Sequence, residues 1–239
     1  MAKKTQIDRH LVALTSPGSF AAEQYQGLRL TIERLRRGRT LQIIAVTSPA
    51  AGEGKTLTAI NLAGALARGA EGARVLLIDA DLRRPAVARQ LAIDAASKGL
   101  TEVVADPQAT LDSATQKLKP FNLSILTAGT RNGAVHQTLR SSRLDAVLAE
   151  ARQRYDYVVL DTPPLLPVFD SALLANAVDG VLMVVAANQT PRKLLGEALN
   201  MLDPGKVLGI VFNRDSKPMF GYYDAYYKDY FPEQVATEA

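Results

Sequence analysis

The chain has 239 residues, a formal net charge of +4, 47% hydrophobic residues and no cysteine. That length and apolar content suit one α/β domain with arms, and the missing cysteine excludes disulfides, thiolate zinc sites and iron–sulfur clusters. No apolar run reaches the ~20 residues of a membrane span, and the N-terminus MAKKTQIDRH lacks the apolar stretch of a signal peptide, so a cytoplasmic protein is expected.

Residues 1–18 read as irregular and are closed by Pro17 and Gly18. Phe20–Arg37 carries apolar positions at helical spacing and predicts an amphipathic helix. Arg34, Arg36, Arg37 and Arg39 form the densest basic stretch. Two explanations suit it: a cationic last turn favoured by the helix dipole, or contact with an anionic membrane surface or acidic partner. No aromatics interleave with these arginines, so no nucleic-acid partner is expected. Beyond this point strands and helices alternate. Strands are predicted over 41–47, 74–80, 122–127, 157–161, 180–185 and 207–213, and helices over 56–69, 85–92, 138–154 and 191–202. RVLLID, YVVLD, GVLMVV and VLGIVF are continuous apolar runs, as in strands buried on both faces. The expected fold is therefore α/β, a doubly wound and mostly parallel sheet flanked by helices, with its site at the C-terminal ends of the strands. Three regions follow: an arm and helix over 1–40, a core over 41–214 and a tail over 215–239.

The first core strand runs into TSPAAGEGKT, a glycine-rich loop ending in Gly54, Lys55 and Thr56 with a helix after it. Strand, loop and helix in that order make a phosphate-binding loop. Backbone N–H groups over Ala51, Gly52, Glu53, Gly54, Lys55, Thr56 and Leu57 can wrap phosphate oxygens. Lys55 adds a cation for the β- and γ-phosphates, and the Thr56 hydroxyl is placed to ligate Mg²⁺. The consensus would put a glycine at position 49, where this chain has Pro49. ATP and Mg²⁺ are the expected cofactors.

Acidic residues close two later strands. In VLLIDADLRRP, Asp79 and Asp81 lie two apart and share one side of an extended chain. Such a pair can hold Mg²⁺ or accept a proton from an attacking hydroxyl; the bland alternative has Asp81 capping the next helix. In YVVLDTPPL, Asp161 follows four apolar residues, as a Walker B carboxylate does, and Pro163 and Pro164 stiffen the exit. Thr56, Asp79 and Asp161 are the candidate metal ligands, and Lys55, Asp79, Asp81 and Asp161 the candidate catalytic set. Asp170 precedes an apolar helix and is expected mainly to cap it. Asn213 ends the last strand, where its amide can meet an adenine edge or satisfy a turn.

The tail is unusual. Of 8 tyrosines, five (Tyr222, Tyr223, Tyr226, Tyr227 and Tyr230) fall in GYYDAYYKDYF. They can form an aromatic interface, pack as a terminal helix, or accept phosphoryl groups from the neighbouring ATP site.

Taken together, TSPAAGEGKT, VLLIDADLRRP, VVLDTPP, GYYDAYYKDYF and the helix AAEQYQGLRLTIERL resemble the bacterial tyrosine kinases (BY-kinases) of capsule and exopolysaccharide synthesis. The resemblance implies a MinD/ParA-like P-loop ATPase fold and ATP-dependent autophosphorylation of the five tail tyrosines between subunits. It implies a ring-shaped homo-oligomer, a membrane-embedded polysaccharide co-polymerase as activator, a cognate tyrosine phosphatase, and recruitment to the inner face of the membrane. By motif, Asp79 becomes the residue that activates the tyrosine, with Asp81 and Asp161 arranging the metal. The family's oligomerisation pattern Glu-x-x-Arg-x-x-Arg is matched by Glu23 and Arg29, but Gln26 replaces the middle arginine and offers neither charge nor a bidentate fork. Two other readings compete: a MinD/ParA-type ATPase, whose early loop lysine is here Ala50, and a non-catalytic ATP-gated scaffold.

Overall fold

Successive side chains of the apolar runs enter opposite cores, which is why the runs carry no polar interruption. The structure, a computed structural model, describes residues 7–69, 72–95, 98–130 and 135–215. Seven strands form one sheet: β1 (Ile43–Thr47), β2 (Val75–Asp79), β3 (Gln116–Leu118), β4 (Leu123–Leu126), β5 (Tyr157–Asp161), β6 (Gly180–Ala186) and β7 (Val207–Asn213). Their order is β3-β4-β2-β5-β1-β6-β7, and every neighbouring pair is parallel except β3–β4. The doubly wound, mostly parallel sheet is as expected.

Helices cover both faces: α1 (Val12–Thr15), α2 (Phe20–Gly38), α3 (Lys55–Ala67), α4 (Val87–Gln90), α5 (Leu100–Ala105), α6 (Leu111–Ala114), α7 (Val135–Leu139), α8 (Ser142–Arg154), α9 (Asp170–Ala177) and α10 (Arg192–Leu199). On one face Ile44, Val46, Leu77, Val159 and Leu182 pack with Leu11, Ile32, Ile60 and Leu62. On the other, Ile43, Leu76, Val158 and Met183 pack with Leu100, Leu144, Val147 and Leu174. Each large side chain so buried contributes about 1.5–3 kcal/mol relative to exposure. Ser19 caps α2 by accepting from Ala22 N. The buried amide of Asn61 on α3 accepts from Ala13 N and donates to the His10 carbonyl, which ties the arm to the core. No described helix is long and apolar enough to cross a membrane.

Several elements differ from expectation. Within the stretch read as irregular, Val12–Thr15 makes one helical turn, with Leu11, Ala13 and Leu14 buried. The helix predicted over 85–92 shrinks to α4, because Asp79 holds the amides of Ala86 and Val87 and Ala92 turns to a φ of 55°. The helix predicted over 138–154 breaks before Ser141, whose hydroxyl accepts from Arg143 N and starts α8 anew. α5, α6 and the antiparallel β3 are short elements that apolar periodicity did not single out. VLGIVF is not buried on both faces: β7 is the sheet edge, leaving Ile210 37% and Phe212 66% exposed.

Candidate phosphate-binding site

The turn from β1 to α3 needs glycine at two places. Gly52 and Gly54 adopt φ of 85° and 95°, where a Cβ is strained. A Cβ on Gly54 would also stand 1.9 Å from Asn213 Nδ2. Pro49 occupies the consensus glycine position without cost, since the chain there runs out of β1 with its carbonyls tied. Ser48 O accepts from Leu165 N at 2.8 Å and Pro49 O from Leu166 N at 3.3 Å.

Glu53 braces the loop from inside. Its carboxylate is 6% exposed and accepts from Ala50 N (3.1 Å) and from the Thr190 hydroxyl (2.5 Å). Its carbonyl accepts from Asn213 Nδ2 at 2.9 Å. Asn213 thus satisfies a turn, the phosphate loop itself, and anchors it to the end of β7. Ala51 and Gly52 stand exposed at the tip, and Thr56 is buried in the first turn of α3. The first N–H groups of α3 have no intrahelical acceptor and carry the positive end of the helix dipole.

The three aspartates and Lys55 come together. Asp79 and Asp161 are cross-strand partners at the ends of β2 and β5. Lys55 Nζ lies 2.8 Å from Asp81 Oδ2 and 3.6 Å from Asp161 Oδ1. Burial works against the ammonium, but Asp161 and Asp81 overcome it, and the pKa of Lys55 ends above its ordinary value. The carboxylates differ in what they have left to offer. Asp81 is fully engaged, with Oδ1 accepting from Arg84 N at 3.0 Å. Asp79 accepts from Ala86 N and Val87 N through Oδ2 alone, each at 3.0 Å, and Oδ1 has no partner. It is Asp79, not Asp81, that holds the amides at the start of the following helix. Neither oxygen of Asp161 makes a hydrogen bond, although that residue is fully buried. Burial and then the charge of Asp161 push Asp79 up to about 7, and burial pushes Asp161 up to about 6. Lys55 and the Thr56 hydroxyl pull Asp161 part of the way back.

Three carboxylate oxygens without a hydrogen bond, one of them 3.6 Å from the Lys55 ammonium, stand beside a threonine hydroxyl and fit a hard cation. Among the described residues no three His, Cys, Asp or Glu side chains are grouped closely enough to cage a metal alone. That suits Mg²⁺, which takes one or two carboxylates and completes its shell with phosphate oxygens and water.

Other expectations resolve differently. Asp170 does not cap α9: it pairs with Arg83, Nε to Oδ2 at 2.5 Å. Arg29 engages Gln26 Oε1 (2.9 Å) and Glu33 Oε1 (2.6 Å) of its own helix, while Glu23 stands in the first turn of α2. The arginine stretch at the end of α2 is partly engaged within the fold, with Arg36 over the Tyr157 ring and Arg39 bonded to the carbonyls of Asp179 and Gly205. Tyr222, Tyr223, Tyr226, Tyr227 and Tyr230 lie outside the described residues. Thr190, Arg83 and Asp170 were not singled out as site residues, and only the Arg-Arg after Asp81 gave a local hint.

A glycine turn before a helix, with an ammonium and acidic strand ends around it, defines a nucleotide-binding P-loop ATPase of the doubly wound class. A family model described as an AAA domain matches residues 41–203. Tyrosine-protein kinase YwqD of Bacillus subtilis is 33% identical over 235 residues, covering 96% of this chain and 97% of that protein. The succinoglycan biosynthesis transport protein ExoP of Rhizobium meliloti is 33% identical over 244 residues, covering 95% of this chain but 30% of that protein. The kinase domain of the Escherichia coli tyrosine kinase ETK superposes with a TM-score of 0.78 at 26% identity, covering 87% of this chain and 82% of that one. MinD of Pyrococcus horikoshii, solved with Mg-ADP, shares the fold, with a TM-score of 0.60 at 23% identity over 80% of this chain and 78% of that one. The chain belongs to the bacterial protein-tyrosine kinases built on a P-loop fold, the BY-kinases.

Proposed function

We propose that this chain is an ATP-dependent protein-tyrosine autokinase that phosphorylates its own tail tyrosines and acts in exopolysaccharide or capsule synthesis. The observation that carries the reading is the convergence of Lys55, Asp79, Asp81 and Asp161 at the mouth of a phosphate loop. The backbone N–H groups over residues 51–57 bind the phosphates. The phenol oxygen of an acceptor tyrosine attacks the γ-phosphorus, the bond to the β,γ-bridging oxygen breaks, and ADP leaves. A phenol has a pKa near 10 and needs a proton acceptor at neutral pH. Asp79 Oδ1 is that acceptor: it has no other partner, and a group pushed up to about 7 is matched to the task. Thr56 and Asp161 would hold Mg²⁺, with Asp79 beside them; when bound, the ion neutralises charge on the transferring phosphoryl. Lys55 does the same from its own side once it leaves Asp81.

The acceptors are Tyr222, Tyr223, Tyr226, Tyr227 and Tyr230 of a second copy. The tail of residues 215–239 can span at most roughly 80 Å when extended, enough to reach a neighbour. Each phosphate adds about −1.5 to −2 charges, so several on one tail repel each other and the acidic site, and eject the tail. Assembly into a ring rests on α2, with Glu23 and Arg29 at its interface and Gln26 weakening it. A membrane-embedded polysaccharide co-polymerase recruits and activates the chain at the membrane, and a tyrosine phosphatase resets it. The name of ExoP, a succinoglycan biosynthesis transport protein, supports the polysaccharide setting. A MinD-type ATPase is not favoured, since Ala50 stands where that branch carries a lysine.

Incubation with Mg-ATP followed by a phosphotyrosine blot tests the reading. Signal is expected from the unaltered chain and none from Lys55→Met or from a tail with all five tyrosines changed to Phe. Signal that survives Lys55→Met in purified protein would sink it.

A further inference from the structure

The loop between β2 and α4 is fastened at a point that neither the phosphate loop nor the aspartate cluster accounts for. Arg83 reaches across to Asp170 in a two-point fork, Nε to Oδ2 at 2.5 Å and Nη2 to Oδ1 at 3.3 Å. Asp170 is 2% exposed in the first turn of α9, whereas the Arg83 side chain is 45% exposed. The base under Asp170 is rigid. The hydroxyls of Thr47 at the end of β1 and of Ser171 both donate to the Pro163 carbonyl, two residues beyond Asp161. Asp170 is therefore fixed to the same frame that carries Asp161.

What the fork holds is the peptide linking Arg83 to Arg84. The N–H of that peptide donates to Asp81 Oδ1 at 3.0 Å, and the opposite oxygen of the same carboxylate takes Lys55 at 2.8 Å. A carboxylate bonded at both oxygens has its plane fixed by the two partners. If the turn at Arg83 drifts, the amide of Arg84 moves, Asp81 rotates, and Lys55 loses its position. Leu82, 4% exposed, anchors the main chain beside Asp81 in the core but places no constraint on that rotation.

We propose that Arg83 and Asp170 are a positioning pair that sets the orientation of Asp81, and through it of Lys55, across the mouth of the phosphate loop. Its consequence for turnover rests on the kinase reading above; its effect on the loop does not. Outer partners of this kind change activity about 10- to 100-fold when removed. Asp170→Asn is the cleaner variant, because it leaves no unpaired buried charge, whereas Arg83→Gln strands a carboxylate.

The test compares the unaltered chain with Asp170→Asn, Arg83→Gln, the conservative Arg83→Lys and the double variant Arg83→Gln/Asp170→Asn, each shown to be folded by a cooperative melt. Amide exchange at Arg84, read by NMR against Leu77 in mid-strand, should rise about tenfold in Asp170→Asn. Its kcat for tail phosphorylation should fall about tenfold with no rise in the KM for ATP, because Asp81 competes with ATP for Lys55. Arg83→Lys should recover part of both effects, and the double variant should be no worse than the more impaired single one, because both remove one contact. Unchanged exchange at Arg84, unchanged kcat where exchange has risen, or additive losses in the double variant overturns the proposal. If the unaltered chain does not phosphorylate itself, the kinase reading fails, and the exchange rates still decide whether the pair positions the loop.

Discussion

Gly54 is under two demands at once. Its φ of 95° is strained for any side chain, and a Cβ there would collide with Asn213 Nδ2 at 1.9 Å. Gly54→Ala should therefore weaken ATP binding at least about tenfold, measured by calorimetry, because the loop must open to fit it. Asp79 makes a prediction of the opposite sign for stability. The folded state holds Asp79 up at about 7 and Asp161 at about 6, against an ordinary value of 3.8. Folded protein thus keeps protons that the unfolded chain has released, and the slope of stability with pH is negative. The penalty is absent below about pH 4, grows as pH rises through the two values, and is complete above pH 7. In EDTA and without nucleotide, the melting temperature should rise as pH falls from 8 to 6. Asp79→Asn should flatten that slope and stabilise the protein at pH 8 by on the order of 2 kcal/mol, a shift of roughly 4–8 °C, while abolishing phosphorylation. A melting curve that does not respond to pH would show that Asp79 and Asp161 are already charged.

Among the elements, α5 depends on a backbone approach that only glycine permits. A Cβ on Gly99 would meet Gly129 N at 2.3 Å and the Thr127 carbonyl at 2.5 Å, both main-chain atoms of the exit from β4. Gly99→Ala should cost about 2 kcal/mol or more in urea unfolding, since main chain cannot rotate out of the way as a side chain can. The central strands were legible in the sequence because burial on both faces leaves an unbroken apolar run. β7 shows the limit of that signal: GVLMVV and VLGIVF look alike, but being at an edge is a property of a strand's neighbours. α5, α6 and β3 escaped because elements of 6, 4 and 3 residues carry too few apolar positions to display a period. In the site, Asp79 and Asp161 were legible because each ends a strand, Asp81 because it stands two residues past one, and Lys55 and Thr56 because they open a helix after a glycine turn. The division of labour among the aspartates was not, since it is set by which oxygens the backbone has already claimed. Arg83 and Asp170 stand 87 residues apart and nothing local links them.

Over the whole molecule, the N-terminal arm is part of the core rather than an appendage. Leu11, Leu14 and Ile32 are buried with residues of α3 and the sheet, and Asn61 joins that helix to the main chain at His10 and Ala13. Deleting residues 1–18 should lower the melting temperature by several degrees, because Asn61 loses its contacts to Ala13 N and the His10 carbonyl, with Nδ2 keeping the Leu57 carbonyl of its own helix. A truncated chain melting at the same temperature would show that the arm is dispensable for the fold. The helix α2 packs on α3, whose first turn follows directly from the phosphate loop, so the interface proposed along α2 would lie one helix away from the nucleotide site.

The contact between Lys55 and Asp81 has a consequence for turnover. If Lys55 binds the triphosphate as proposed, the nucleotide has to draw the ammonium away from a carboxylate 2.8 Å from it, so part of the attraction of ATP would go into breaking an internal pair. The reverse holds after transfer. On the proposed kinase reading, once the γ-phosphoryl has moved to the phenol, Asp81 can recapture the lysine, and the diphosphate left behind then loses the Lys55 ammonium. On that reading the resting pair would work as a release device, loosening ADP at the point in the cycle when it has to be exchanged.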